Sequence, residues 1–143
     1  MERIPQPNIE FPDWSDKKIL IVEDVETNML FFKAALARTG ATLLWAMDGY
    51  ESIAMCQKDP EISLVLMDLR MPNLDGFQAT EAIKVFRPDL PVIAQTTYTD
   101  DVDTGRLYQC GCDDYLPKPI RLEDLLNAIG KFLNPLPKSS LPS

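Results

Sequence analysis

The sequence predicts an α/β fold, a single domain in which a parallel sheet lies between two layers of helices. Five short apolar runs alternate with longer amphipathic segments along the chain. Each run is apolar nearly throughout rather than at every second position, which is typical of parallel strands buried on both faces. Gly40, Pro60 and Pro88 stand shortly after amphipathic segments, where glycine and proline end helices. Together these observations indicate successive strand–helix units.

The first half of the chain supplies three strands and two helices. In chain order they are predicted at 18–22, 25–38, 42–46, 49–58 and 62–67. The first helix has helically spaced apolar residues at Phe32, Ala35 and Leu36, and Gly40 can cap its carboxyl end. The second helix ends before Pro60, because proline cannot continue a helix.

The second half is predicted to continue the alternation. Its helix, strand, helix, strand and helix are expected at 75–86, 91–95, 99–109, 115–116 and 121–133. The last helix has one apolar face, formed by Leu122, Leu125, Leu126, Ile129 and Phe132. The segment 99–109 is the weakest, since it contains three Asp, two Thr and one Gly, all poor helix formers. We therefore expect the fourth helix to be short or mobile.

Five such units with right-handed crossovers fit a flavodoxin-like three-layer sandwich, a five-stranded parallel sheet of order 2-1-3-4-5. The domain is expected to cover residues 17–134. Residues 1–16 contain three prolines and are expected to form a linker or disordered lead-in. Residues 135–143, with three prolines and three serines, are expected to form a flexible tail.

Composition excludes several classes of function. The net charge is −8 and no run of five basic residues occurs, so nucleic-acid binding by this chain is not expected. No apolar run reaches the roughly 20 residues that span a bilayer, and no signal peptide is recognisable. We therefore expect a cytoplasmic protein without membrane contact.

Histidine is absent and three cysteines are present. The lack of histidine excludes Ser-His-Asp and Cys-His nucleophile pairs and histidine metal sites. An odd number of cysteines argues against a disulfide framework. Cys110 and Cys112 resemble half of a metal site, but with Cys56 as the one other thiol we interpret all three as structural or incidental.

Polar residues follow the apolar runs at the edge of the sheet where ligands bind, beyond the carboxyl ends of the strands. They are Glu23 and Asp24 after the first run, Asp68 after the third, Thr96 and Thr97 after the fourth, and Lys118 after the fifth. Three clustered carboxylates raise one another's pKa unless a cation lies between them. Oxygen ligands without histidine or thiolate favour Mg²⁺, with Mn²⁺ as an alternative. The pattern therefore indicates metal-assisted phosphoryl chemistry.

The sequence blocks around these residues resemble the receiver domain family of response regulators, over roughly residues 17–134. The matching blocks are 19–24, 64–76, 92–96 and 113–119. The resemblance implies that Asp68 accepts a phosphoryl group from a phosphohistidine of a histidine kinase or histidine phosphotransfer domain. It also implies that Mg²⁺ binds Glu23, Asp24, Asp68 and the main-chain carbonyl of Arg70, and that Lys118 pairs with a phosphoryl oxygen.

By the same resemblance, Thr96 would bind the phosphoryl group, and Tyr115 would rotate inward as Thr96 moves. Such a pair is a two-state switch biased by a local change of charge. Pro119 would set the loop after Lys118, and Pro72 would stiffen the loop after Asp68.

Further residues are expected to flank the site. Met71 lies in the loop with Pro72, and Thr97 stands where the family usually has a smaller residue. Arg70 and Tyr98 are bulky, and we expect them to shield an acyl phosphate from water and prolong its lifetime.

Several alternatives stay open from sequence. The chain could be the C-terminal receiver of a hybrid sensor histidine kinase, which is favoured, or a freestanding single-domain regulator. As a receiver it would not be a turnover enzyme, although a hybrid parent would be a histidine kinase. A Mg-dependent aspartyl phosphatase would need a second Asp where Arg70 stands, and a degenerate docking module would not need the full set of site residues. The expected state is a monomer or weak dimer, and the downstream partner cannot be named.

Overall fold

A computed structural model of the chain describes residues 11–97 and 101–134, with the backbone alone at 101–104. Five parallel strands form one sheet of order β2-β1-β3-β4-β5, which confirms the predicted fold. The strands are β1 Lys18–Val22, β2 Thr42–Ala46, β3 Leu64–Asp68, β4 Val92–Thr96 and β5 Asp114–Pro117. The helices are α1 Glu26–Leu36, α2 Gly49–Lys58, α3 Gly76–Phe86, α4 Asp101–Cys110 and α5 Leu122–Leu133, and a 3₁₀ turn, Ala37–Thr39, follows α1.

Alternate residues of the buried strands supply two cores, one on each face of the sheet. On one face, Ile19 and Ile21 of β1 pack in a cluster with α1 and α5. On the other face, Leu20 and Val22 pack in a cluster with α2 and α3. Burial on both faces explains why these strands are continuously apolar in sequence. None of the helices within the described residues is both long and apolar enough to cross a bilayer.

The amino-terminal boundary of the domain lies earlier than predicted. Trp14 is fully buried in the α1 and α5 core, and its backbone N–H donates to the carbonyl of Thr39 at 2.8 Å. The Phe11 ring lies 4.5 Å from the guanidinium carbon of Arg38. The linker prediction is therefore wrong for residues 11–16, because Trp14 fills core space. Residues 1–10 and 135–143 lie outside the described residues.

The fourth helix is not short. With ten residues it is as long as α2, despite its poor helix formers. Two side chains near its carboxyl end, Leu107 and Cys110, are buried in a small cluster with Phe77. Arg106 stacks on the Phe77 ring, with its guanidinium carbon 3.9 Å from the ring centroid. Tertiary packing outweighs weak propensity here, and the expected mobility stays a prediction.

The start of α3 fixes the position of the last β3 residue. Asp75 accepts a hydrogen bond from the Gln78 N–H, and the Gln78 side chain accepts one from the Asp75 N–H, which forms a capping box. At the next position, a Cβ on Gly76 would overlap the carbonyl oxygen of Asp68. Glycine is required there because the helix start lies directly against the backbone of Asp68.

Candidate functional site

Three carboxylates meet at the carboxyl edge of the sheet. β1 and β3 are neighbours in a register that places Val22 opposite Met67, so the residues that follow, Glu23 and Asp68, lie side by side. One oxygen each of Glu23, Asp24 and Asp68 lies within 4.8 Å of the others. Glu23 is fully buried and Asp68 is 5% exposed, so solvent screens their repulsion weakly.

The surroundings of Glu23 disfavour its charged form. Burial, and next the negative charge of Asp68, raise the pKa of Glu23 to about 7, while Lys118 acts in the opposite direction. Its Oε2 accepts a hydrogen bond from the Val25 N–H at 3.2 Å. Its Oε1 accepts none from any described residue. The Trp45 indole N–H donates to the Glu23 carbonyl at 2.7 Å, which fixes the backbone of this residue.

Within residues 11–97 and 101–134, one ammonium group faces both buried carboxylates. The Nζ of Lys118 lies 3.6 Å from Asp68 Oδ1 and 3.7 Å from Glu23 Oε1. These distances are longer than those of a direct charge-assisted hydrogen bond. The Lys118 backbone is anchored by donation of its N–H to the Thr96 carbonyl, and the Lys118–Pro119 peptide bond is cis. The Lys118 ammonium therefore lies near two buried carboxylates, at distances longer than a direct hydrogen bond.

The loop after Asp68 orients its carboxylate. The backbone N–H of Arg70 donates to Asp68 Oδ1 at 3.1 Å, while the Arg70 side chain is exposed. Met71 is half-buried and packs against the α2 and α3 core. Asn73 has a φ of 71°, a left-handed conformation that asparagine tolerates. The Pro72 carbonyl accepts the N–H of Leu74 at 2.9 Å.

Thr96 and Tyr115 occupy neighbouring strands beside the site. Thr96 is buried at the end of β4, and Tyr115 on β5 is paired with Ala94. Tyr115 is 38% exposed, so part of its surface is open to solvent. Thr97 is exposed, and Tyr98, which was predicted to flank the site, lies outside the described residues.

Cavities open on two sides of the site, and the sequence did not indicate either. One of about 250 Å³ is lined by Arg70, Thr96 and Arg106. The other, of about 580 Å³, is lined by Phe31 and Gln95 together with Glu23, Thr97, Lys118 and Pro119. The buried Gln95 amide has no hydrogen-bond partner among the described residues. Only the alternation of side chains along β4 could have placed Gln95 here.

The donor set fits a hard divalent cation. All candidate ligand atoms are oxygens, which suits Mg²⁺ and excludes a thiolate or histidine site. Glu23 Oε1 accepts no hydrogen bond from the described residues and the pKa of Glu23 is raised, so the cluster can accommodate a positive charge. A cation between the carboxylates would supply a partner for Glu23 Oε1 and lower the pKa of Glu23.

Comparison with known protein families and sequences identifies relatives of this fold. The family described as the response regulator receiver domain matches residues 19–130. The sensor histidine kinase GacS of Pseudomonas protegens is 35% identical over 120 residues, which cover 80% of this chain and 13% of that protein. The polar-differentiation response regulator DivK of Brucella ovis is 30% identical over 119 residues, covering 82% of this chain and 96% of DivK. The chain thus spans a small part of one relative and nearly all of the other.

Solved structures show the same architecture. The receiver domain of sensor histidine kinase PA1611 from Pseudomonas aeruginosa, with magnesium coordinated in its active-site cleft, is 29% identical with a TM-score of 0.76, over 82% of this chain and 97% of that chain. A co-crystal structure of the Saccharomyces cerevisiae histidine phosphotransfer protein Ypd1 with the Ssk1 receiver domain matches with 26% identity and a TM-score of 0.77, over 87% of this chain and 92% of that chain.

Proposed function

The chain belongs to the response regulator receiver domain family, and from this membership we propose that Asp68 is its phosphoacceptor in a two-component phosphorelay. The observation that carries the proposal is the position of Asp68. Its carboxylate is 5% exposed at the carboxyl edge of the sheet, with two further carboxylates and one ammonium group around it. A structural aspartate would not need this surrounding charge.

The metal of the proposal is Mg²⁺, held by Glu23, Asp24, Asp68 and the main-chain carbonyl of Arg70. When bound, the cation supplies charge neutralisation and orientation for phosphoryl transfer. The magnesium in the related PA1611 receiver domain supports this choice. So does the Glu23 oxygen that accepts no hydrogen bond from the described residues.

The protein's own groups prepare Asp68 for attack. The Arg70 N–H and Lys118 both face Oδ1, which leaves Oδ2 as the nucleophile. The new bond joins this oxygen to phosphorus, and the phosphorus–nitrogen bond of the phosphohistidine breaks. Lys118 then pairs with a phosphoryl oxygen, because its long 3.6 Å separation from Asp68 leaves room to approach the added charge.

The response to phosphorylation is proposed to pass from Thr96 to Tyr115. Thr96 ends the strand next to β3 and would bind the phosphoryl group through its hydroxyl. Tyr115 is 38% exposed, and would take a more buried position in the phosphorylated form. A switch of this kind needs two arrangements of one side chain, biased by a local charge.

The phosphodonor is proposed to be a histidine kinase or a histidine phosphotransfer domain. The Ypd1 complex of the related Ssk1 receiver supports this class of partner. For the parent protein, the match to GacS favours a hybrid sensor histidine kinase, and the near-complete overlap with DivK supports a freestanding regulator. Locating the start and end of the gene decides between them.

The phosphoacceptor proposal is tested by intact-mass spectrometry after incubation with acetyl phosphate and Mg²⁺. Wild type should gain the mass of one phosphoryl group and Asp68→Asn should gain none. Asp59→Asn, which removes a carboxylate at the opposite edge of the sheet, is the matched control and should behave as wild type. Equal phosphorylation of Asp68→Asn would overturn the proposal.

A further inference from the structure

A pair of thiols lies at the junction between α4 and β5, on the far side of α4 from its start. Cys110 is the last residue of α4, and Cys112 stands two residues before β5 proper begins. Their Sγ atoms are 3.4 Å apart. Both thiols are free, and neither belongs to the phosphoacceptor site.

The backbone around the pair brings the two sulfurs together. Gly111 between them has a φ of 97°, in the left-handed region that glycine enters without a Cβ penalty. The Cys112 N–H donates to the Leu107 carbonyl at 3.2 Å and the Gly111 N–H to the Tyr108 carbonyl at 3.3 Å. These bonds form a helix C-cap, which turns the chain back so that both side chains lie on one side.

We propose that Cys110 and Cys112 are a peroxide-sensitive dithiol pair that closes reversibly to a disulfide and fixes the junction between α4 and β5. A disulfide needs a sulfur separation of about 2.05 Å, so the observed 3.4 Å must shorten by little more than 1 Å. The glycine between the two residues supplies the backbone freedom for that closure.

Access and chemistry are unequal at the two sulfurs, as such a pair requires. Cys110 is buried, whereas Cys112 is half-buried and lines a cavity of about 60 Å³ beside Tyr108 and Tyr115. A cavity needs roughly 10–15 Å³ to admit one water, so a hydroperoxide with two oxygens fits. The Cys112 side chain, as hydrogen-bond donor, lowers the pKa of Cys110 to about 7. The hydrogen bond that Cys112 donates to Cys110, and next burial, raise the pKa of Cys112. Because the thiolate is the nucleophile, Cys110 is the sulfur that attacks an oxidant entering by the cavity, and Cys112, 3.4 Å away, is the resolving thiol.

The reaction balances with hydrogen peroxide as the oxidant. Cys110 releases its proton to solvent, and its thiolate, which accepts the hydrogen bond from the Cys112 thiol, attacks one peroxide oxygen. The O–O bond breaks, giving a sulfenic acid and, after protonation of the hydroxide, one water. The Cys112 sulfur then attacks the Cys110 sulfur, and the hydroxyl leaves as a second water with the Cys112 proton. Two thiols and one peroxide give one disulfide and two waters, and an external dithiol reverses the change.

The disulfide would tie two elements that have different anchors. On the Cys112 side, the adjacent Asp113 accepts hydrogen bonds from the Val92 N–H at 2.8 Å and from Lys84 Nζ at 2.7 Å. On the Cys110 side, the last turn of α4 is held chiefly by Leu107 and Cys110 themselves. Closing the bond would therefore restrain the end of α4, because Cys112 lies next to a residue that is hydrogen-bonded to β4 and α3.

Cys56 serves as an internal control for thiol oxidation. It is buried within α2, and burial raises its pKa to about 11. A thiol of this kind is inert because little thiolate forms and no oxidant reaches it. Treatment of the native chain with an oxidant should therefore oxidise Cys110 and Cys112 and leave Cys56 unmodified.

The test treats the full reduced chain with hydrogen peroxide and maps the products by mass spectrometry. Wild type and Cys56→Ser should lose the mass of two hydrogen atoms, with the link located between Cys110 and Cys112, and dithiothreitol should restore both. Cys112→Ser should instead retain oxygen on Cys110. Amide hydrogen exchange over 105–112 should slow by about tenfold or more in the oxidised form, since the link suppresses local opening.

Three results would overturn the proposal. One is formation of intermolecular dimers in place of the internal link. Another is oxidation of Cys56 at the same rate as the pair. The third is unchanged hydrogen exchange over 105–112 after the link has formed, which would separate the disulfide from any effect on α4. None of these readouts depends on phosphorylation of Asp68.

Discussion

Each end of β1 has one lysine beside a group of carboxylates, but the two groups are in opposite electrostatic states. At the amino end, Lys18 Nζ lies 2.7 Å from Asp59 and 3.5 Å from Glu61. At the carboxyl end, Lys118 lies 3.6 and 3.7 Å from two acids. The first cluster is partly exposed, while the acids of the second are almost fully buried.

The pKa shifts show what this difference means. The hydrogen bond to Lys18 lowers the pKa of Asp59, and the hydrogen bond to Asp59 raises the pKa of Lys18, so the amino-end pair favours its charged form. At the carboxyl end, burial raises the pKa of Glu23 to about 7. One cluster is satisfied by its own residues, and the other has an excess of negative charge that an external cation can bind.

The largest expected contrast is in phosphorylation rate. Lys118→Met removes the ammonium that would neutralise charge on the phosphoryl group, and should slow phosphorylation by acetyl phosphate roughly 100-fold or more. Lys18→Met removes the matching lysine at the other end and should leave the rate unchanged. The measurement is the initial rate of phosphoprotein formation with saturating Mg²⁺. Equal slowing in both variants would indicate a general folding defect instead.

The next contrast is in metal affinity. Glu23→Gln keeps the shape of the side chain and removes its charge, and should weaken Mg²⁺ binding by about 10–100-fold. Asp59→Asn, at the opposite edge, should change the dissociation constant less than about twofold because surface charges are screened over this distance. Isothermal titration gives both constants. The idea of a selective cation site fails if Glu23→Gln binds Mg²⁺ as tightly as wild type.

A third contrast is in the pH dependence of stability without metal. The pKa of Glu23 is about 7 in the folded chain and 4.5 as a reference value. Because the folded pKa is the higher one, the carboxylate destabilises the fold as it ionises. The free energy of unfolding should therefore fall between pH 4.5 and 7, by at most about 3 kcal/mol, and then level off.

Urea unfolding in EDTA at several pH values measures the slope of the free energy of unfolding against pH. Glu23→Gln should flatten it, and added Mg²⁺ should restore stability above pH 7 by binding the native state. The ion pair of Asp59 with Lys18 has the opposite effect on the pH dependence of stability. Its pKa is lowered in the folded state, so its contribution is present above pH 3.8 and is lost as the pH falls further. A slope that persists in Glu23→Gln would assign the effect to another group.

The site acids could be predicted from sequence because strand ends in a parallel sheet share one edge. The register of Val22 with Met67 then follows from the fold, and it brings Glu23 beside Asp68. By contrast, Trp14 and Arg106 gave no such signal. Their positions depend on contacts between segments distant in sequence, as with Arg106 on the Phe77 ring, and propensity or periodicity does not encode these contacts.

The smallest expected effect belongs to the amino-end pair itself. Asp59→Asn breaks the 2.7 Å ion pair with Lys18, but partly exposed pairs contribute little because solvent screens them and ordering two side chains costs entropy. The urea midpoint at pH 7 should shift only slightly, with phosphorylation and Mg²⁺ binding as in wild type. A large loss of stability would show that this cluster contributes strongly to the stability of the fold. A short distance between charges would then be too little to distinguish a structural cluster from a functional one.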